Sequence, residues 1–378
     1  MPWAITCQAG SATFAADPSG TRNDARMTLP IETPAVLVDL DIARRNILAF
    51  QAYADRHGLR VRPHIKTHKL PQMAELQLAA GAIGITCQKV TEAEAMIDGS
   101  ARIRDVLITY NLLGKEKLAR LARLCEKVTV SVVADNATVI DGLAAFFAEA
   151  GKPLTVLVEC NTGADRCGVG TPSEAARLAR RIAEAPGLRF GGLMTYPPAD
   201  GAGRVQAFMS DAKRLIEATG LDVPCITSGG TPGMMQAAEA PIASEHRPGT
   251  YIYNDRSLVA RGAASWDDCA LTVLATVVSV PSDNRAIVDA GSKVLTSDLL
   301  GLTGYGHVLG RDDLRIDQLS EEHGRLVSDG PIGLKVGEKV RIVPNHACVV
   351  TNMVDAVHVI EDGALKGTWP VVARGRIL

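Results

Sequence analysis

From residue 33 onward, apolar positions follow two alternating rhythms. Short runs rich in β-branched residues occur at 60–65 (RVRPHI), 83–87 (IGITC), 106–110 (VLITY), 128–133 (VTVSVV), 154–160 (LTVLVEC), 190–196 (FGGLMTY), 224–228 (PCITS) and 249–253 (GTYIY). Between them lie stretches with apolar residues three and four apart, such as EKLARLARLCEK (116–127), SEAARLARRIAEA (173–185) and RVQAFMSDAKRLIEAT (204–219). That spacing predicts amphipathic helices. Eight strands separated by helices predict a (β/α)8 TIM barrel over 42–262, with an open doubly wound sheet as the alternative.

The texture changes after residue 262. CALTVLATVVSVP, RAIVDAG, KVRIVPN, AVHVIEDG and WPVVARG read as strands with turn residues between them and few helical patterns. They predict an antiparallel β domain over 263–378. TPAVLVDLD (33–41) is another strand pattern, followed by the helical run ARRNILAFQAYADRHG. The strand within 29–41 is expected to join the β domain, so that the two units interleave along the chain. Residues 1–28 have no period and read as a poorly ordered tail, with Met27 as an alternative start. They carry neither the basic start nor the apolar run of a secretory signal.

Composition adds exclusions. Of 378 residues, 47% are hydrophobic, enough for a sizeable core. A net charge of −2 gives no electrostatic ground for nucleic acid or an anionic membrane as partner. No run reaches the roughly 18 apolar residues of a membrane helix. Eight cysteines without a CxxC pair point to a reduced, cytoplasmic protein.

In such a barrel the chemistry gathers where strands end. Those positions hold His64 and Lys66, Gln88, Asn111, Asp135, Asn161 with Arg166, Tyr196, Ser228 with Gly229 and Gly230, and Tyr251 with Asn254. SGGTPG (228–233), after the seventh strand, suits an anion held by backbone N–H groups, although a tight turn has the same composition. RPGTY (247–251) offers further backbone donors. Lys66 suits an anionic substrate or, if desolvated, a Schiff base with an aldehyde. Arg166 suits either a place beside a cofactor ring or a surface salt bridge. In PNHACVVTN (344–352), His346 and Cys348 are two apart. On a strand both would face one way, as two ligands of an open transition-metal site or as a buried histidine beside a buried cysteine.

Taken together, PHIKTHK, ITCQKVTEAEA, NTGADRCGVG, GLMTY, SGGT, RPGTY, IVDAGSK, EEHG, PNHAC and WPVVARG occur in this order in the D-threonine aldolase and D-serine dehydratase-like family, which the chain resembles from about residue 32 to its end. These are fold-type III pyridoxal 5'-phosphate enzymes with an alanine racemase-type barrel. The resemblance implies Lys66 as the Schiff-base lysine, with His64 and Tyr196 also catalytic. It implies cofactor contacts from Gln88, Arg166, Tyr196, Ser228, Gly229, Gly230, Thr231, Gly249, Thr250 and Tyr251. It implies a divalent metal (manganese, zinc or magnesium) on His346 and Cys348, a small D-3-hydroxy amino acid as substrate, and a homodimer. The activity it implies is aldol cleavage of the D-threonine type. The alternative is dehydration of D-serine or D-threo-3-hydroxyaspartate, and a non-catalytic cofactor-binding protein is a third class. Two positions depart from some aldolases of the family: Cys348 stands where they carry aspartate, and Pro197 follows Tyr196 where they carry histidine.

Overall fold

The computed structural model describes residues 30–378, so the tail at 1–28 and Met27 lie outside the described residues. The first strand, β1 (Ala35–Asp39), leads into the helix Leu40–Arg56. Asp39 caps that helix by accepting the Ile42 N–H at 3.1 Å. Eight short parallel strands follow: β2 (Arg60–Val61), β3 (Ile85–Cys87), β4 (Asp105–Ile108), β5 (Thr129–Ala134), β6 (Leu154–Cys160), β7 (Leu188–Thr195), β8 (Ile226–Ser228) and β9 (Glu245–His246). They run in the order β2-β9-β8-β7-β6-β5-β4-β3. A bridge between His64 and Thr86, with the Thr86 N–H donating to the Pro63 carbonyl at 2.7 Å, joins the two ends of this order.

The intervening helices form where the apolar spacing demands. Lys115–Lys127 buries Leu118, Leu121 and Leu124; Pro172–Glu184 buries Ala175, Leu178, Ala179 and Ile182. The second starts with Pro172 in its first turn and a capping box between Thr171 and Glu174, which satisfies two otherwise orphan N–H groups. Inside the strand ring, Leu107, Val133, Leu157 and Met194 form a small apolar cluster from β4, β5, β6 and β7. The opposite side of the ring is polar. The Arg62 Nε donates to Glu245 at 3.1 Å, Thr227 donates to the same carboxylate oxygen at 2.7 Å, and the Arg247 Nη2 donates to the Thr195 carbonyl at 2.7 Å.

A second sheet of nine strands contains β1 and the C-terminal strands. These are β10 (Leu271–Ser282), β11 (Arg285–Val288), β12 (His307–Val308), β13 (Arg315–Leu319), β14 (Gly324–Val327), β15 (Lys339–Val343), β16 (Ala356–Glu361) and β17 (Ala364–Pro370). The main path is β13-β14-β11-β10-β1-β16-β17. β1 pairs antiparallel with β10 and parallel with β16, the one parallel pairing in an otherwise antiparallel sheet. Among the described residues no helix is long and apolar enough to cross a membrane.

Three local readings of the sequence are corrected. The last barrel strand is Glu245–His246, not 249–253, which contains a 3-10 turn at Thr250–Ile252. Tyr251, Ile252 and Tyr253 are all buried in the core shared with the second sheet, and a short wholly apolar run cannot be told from a strand by period alone. The first barrel strand is regular only to Val61: Arg62 and His64 still donate to the His246 and Pro248 carbonyls, at 3.0 and 2.8 Å, but Pro248 has no N–H to return a bond to this strand. PNHAC is not a strand either: β15 ends at Val343, and His346 immediately precedes the helix Ala347–Met353 without a side-chain capping bond.

Candidate active site

One cavity of about 700 Å³ opens at the C-terminal ends of the barrel strands, within the usual range for small-molecule sites. His64, Lys66, Gln88, Arg166, Tyr196, Ser228, Gly229, Gly230, Thr231, Gly249, Thr250, His346 and Cys348 line it, so both units contribute to the same space.

The segment after β2 sets the position of Lys66. After Pro63, His64 caps the turn Ile65–Thr67, and the His64 Nδ1 accepts the Lys66 N–H at 3.3 Å. The Nε2–H of the same ring therefore donates to the Gln88 Oε1 at 3.1 Å. Gln88 is held in that orientation by its own amide, which donates to the Thr109 carbonyl at 2.7 Å. His64 is thus a neutral ring with both nitrogens engaged. Burial, followed by the nearby Lys66 charge, holds its pKa well below the ordinary range. Burial also lowers the Lys66 pKa; Cys348 opposes that shift and Arg166 adds to it. No ion pair holds Lys66 among the described residues, and a desolvated, unpaired amine is the kind that attacks carbonyl carbon.

Opposite Lys66, the Arg166 guanidinium lies over the Tyr196 ring, 4.6 Å from its centroid. Below, Thr231 organises the strand-end loops. Its Oγ1 accepts the N–H groups of Gly249 and Tyr251, each at 3.1 Å, which leaves its own proton to donate into the cavity. A Cβ on Gly229 would collide with Arg247, with its nearest atoms at 2.8–2.9 Å, so the glycine is required for the two loops to touch. Gly230 has φ +140, which L side chains rarely adopt.

Tyr251 is placed differently from its neighbours. Its ring is buried, its hydroxyl accepts from Gln77 at 3.0 Å, and it does not line the cavity. Arg247 lines the cavity from within the barrel, and burial lowers its pKa to about 10. Sequence reading quoted the RPGTY stretch without singling out this arginine. Glu159, on β6, is another buried charge missed from sequence; burial raises its pKa to about 7 against the opposing charge of Arg166. The segment 373–378 also returns across the barrel: the Lys69 Nζ donates to the Ala373 carbonyl at 3.1 Å, Thr91 donates to the Leu378 carbonyl at 3.0 Å, and Arg376 and Ile377 line the cavity. Nothing in the pattern of those residues signals that return.

His346 and Cys348 meet although no strand carries them, because the chain turns into a helix between them. Burial disfavours charge on His346, but the Cys348 sulfur and the Asp298 carboxylate outweigh it and raise its pKa to about 9. Burial pushes the Cys348 thiol up, yet His346 and then Lys66 pull it below its ordinary value. The two groups are thus coupled, each favouring the charged form of the other, with Thr67 Oγ1 at 3.1 Å from the sulfur. That donor chemistry fits a transition-metal ion bound by two side chains with other positions open to water or substrate. Among the described residues no group of three or more His, Cys, Asp or Glu side chains is arranged around a metal position. For pyridoxal phosphate, the desolvated amine, the cavity volume and the hydroxyl and glycine cradle together fit the residues present.

Comparison with known proteins identifies the family and the fold. The model of the alanine racemase N-terminal domain matches residues 38–257, and that of a serine dehydratase domain matches residues 270–360. The chain is 34% identical to D-threonine aldolase of Arthrobacter sp. over 367 residues, covering 91% of this chain and 93% of that protein. It is 35% identical to 3-hydroxy-D-aspartate aldolase of Paracoccus denitrificans, covering 92% and 93%. It is 31% identical to D-threo-3-hydroxyaspartate dehydratase of Delftia sp., covering 90% and 97%. The crystal structure of D-threonine aldolase from Filomicrobium marinum superposes with a TM-score of 0.85 at 34% identity, covering 92% of this chain and 97% of that one.

Proposed function

Since this chain belongs to the D-threonine aldolase and D-serine dehydratase-like family, with an alanine racemase-type barrel, we propose that it is a pyridoxal phosphate- and divalent metal-dependent lyase that cleaves D-3-hydroxy amino acids to glycine and an aldehyde. The observation that carries this reading is the shared cavity: an unpaired, desolvated Lys66 and the His346–Cys348 pair open into one space. When bound, pyridoxal phosphate supplies an electron sink for a bond broken at Cα, and a divalent cation supplies Lewis acidity at the β-hydroxyl.

Lys66 would hold the cofactor, Arg166 and Tyr196 would flank it, and Ser228, Gly229, Gly230, Thr231 and Thr250 would receive its phosphate. His346 and Cys348 would hold the cation. His64 acts by position: its Nδ1 fixes the backbone at Lys66, and its neutral state adds no charge that would raise the cost of protonating the amine. Which substrate proton leaves first decides the product. Loss of the β-hydroxyl proton leads to Cα–Cβ cleavage. Loss of the Cα proton to Lys66, followed by loss of hydroxide, leads to a keto acid and ammonia.

The dehydratase is kept as a second reading because a cysteine, Cys348, rather than an aspartate is the partner of His346. The higher identity to the two aldolases favours cleavage. The test is product analysis. The cofactor- and metal-loaded protein is incubated with D-threonine, with and without a chelator, and glycine is assayed against 2-oxobutanoate and ammonia. Metal-dependent glycine is the expected result; keto acid and ammonia as the main products would overturn it in favour of dehydration.

A further inference from the structure

The His346 ring has a second partner that no motif in the sequence announces. Its Nδ1 donates to the Asp298 Oδ2 at 2.6 Å. The other carboxylate oxygen, Oδ1, accepts the Leu300 N–H at 3.3 Å, so both oxygens are committed. The loop carrying Asp298 is itself shaped for the contact. Thr296 and Leu300 hold left-handed φ values of 64° and 46°, unusual for residues with a Cβ and costly unless the surroundings enforce them. The chain just before His346 also holds this loop. The Asn345 amide donates to the Asp298 carbonyl at 3.4 Å and to the Gly304 carbonyl at 2.8 Å. Asn345 is gripped in turn by the Arg256 Nη1 at 2.9 Å, while the Arg256 Nη2 donates to the Thr303 carbonyl at 2.8 Å.

We propose that Asp298 is a positioning residue for the His346–Cys348 pair: by accepting the Nδ1–H hydrogen bond it fixes the ring's tautomer and plane, and commits Nε2 to the side shared with Cys348. This rests on the reading of that pair as a metal site. A ring free to rotate or to present either nitrogen would lose orientation each time it bound an ion, whereas a ring held by a carboxylate starts in the binding orientation and is the more basic ligand. An exposed, incidental ion pair would not need a strained loop tied down at Asn345 and Arg256.

The experiment uses the cofactor-loaded protein and measures affinity for zinc and cobalt by competition with a chromophoric chelator. It compares the unsubstituted protein with Asp298→Ala and Asp298→Asn, and uses His346→Ala as the reference for loss of the ligand. Asp298→Ala is expected to weaken binding about 10- to 100-fold, with Asp298→Asn less affected because its amide oxygen still accepts the Nδ1 proton. Cofactor absorbance should be unchanged, and at saturating cobalt the thiolate-to-cobalt absorption should return, since Cys348 is intact. Affinity within twofold of the unsubstituted protein in Asp298→Ala, or in Asp298→Ser (whose shorter side chain cannot reach the ring) should Asp298→Ala not fold, overturns the proposal while leaving the metal reading in place. An unsubstituted protein that binds neither ion overturns the metal reading, and the proposal with it.

Discussion

The segment 64–70 contains the same small device twice, with opposite outcomes. His64 accepts the N–H of the residue two ahead at Nδ1 and meets a glutamine, Gln88, at Nε2; His68 does the same with Leu70 and Gln77, at 3.1 and 3.2 Å. A lysine accompanies each. Lys69 is locked: its amine lies 3.3 Å from the buried Glu92 carboxylate and donates to the Ala373 carbonyl, and its φ is 56°. Lys66 has no ion pair among the described residues, although both lysines line the cavity. Two copies of one local geometry thus leave one lysine paired and the other unpaired among the described residues, and the difference lies in what the rest of the fold brings to each.

The largest effect should separate the lysines. Lys66→Ala is expected to reduce lyase activity to background and abolish the near-visible absorbance of the bound cofactor. Lys69→Ala should keep that absorbance but destabilise the fold by about 3–5 kcal/mol, because Glu92 stays buried without its partner. Absorbance spectra and urea denaturation of the two variants, side by side, check this. Equal loss of cofactor from both would erase the distinction. Glu92→Gln tests it from the other side: replacing the carboxylate by a neutral amide in Lys69→Ala should recover part of the lost stability, since no uncompensated charge remains.

Next in size is a pH effect at the second histidine. Burial lowers the His68 pKa to about 4, so between about 6.5 and 4 the unfolded chain binds more protons than the folded one. His68 therefore costs stability progressively as pH falls through that window, about 3 kcal/mol when the window has been crossed. His68→Leu should be less stable than the unsubstituted protein at pH 7.5 through lost packing and hydrogen bonds, and the deficit should shrink by pH 5. Denaturation midpoints at the two pH values measure this; a deficit independent of pH would contradict it. The smallest expected effect concerns the glutamines. Gln77→Ala should cost about 1–3 kcal/mol, leaving His68 and Tyr251 without their buried partner. Gln88→Ala should act mainly on kcat/KM, with less change in the denaturation midpoint.

Much of the architecture was legible in the chain. Alternation of short apolar runs with three- and four-spaced apolar residues predicts a parallel barrel, because strands buried on both faces and helices buried on one leave different periods. Length and register were less legible. RVRPHI holds only two strand residues, since Pro248 on the neighbouring strand has no N–H for the ladder, and GTYIY is a buried turn whose apolar side chains fill the core between the two units. At the site, Lys66, Arg166, Tyr196 and the SGGT stretch stand at strand ends and were readable from that position, with family resemblance supplying their roles. Asp298 was not, because a single aspartate in an irregular loop carries no periodic or motif signal.

What the sequence by itself determined was the menu: which segments form strands and helices, where the loops fall, and which reactive side chains those loops carry. Tertiary structure decided the charge states and partners of those side chains. Lys66 and Lys69 are chemically the same and three residues apart, yet only Lys69 is met by Glu92 and the Ala373 carbonyl, while burial lowers the pKa of Lys66. His346 and Cys348 meet, and acquire Asp298, through a helix start and a distant loop rather than a strand. Local structure follows from short-range sterics and hydrophobic period, which are written along the chain. Desolvation and pairing depend on groups tens to hundreds of residues away, and exist only once the two units have closed over the cavity.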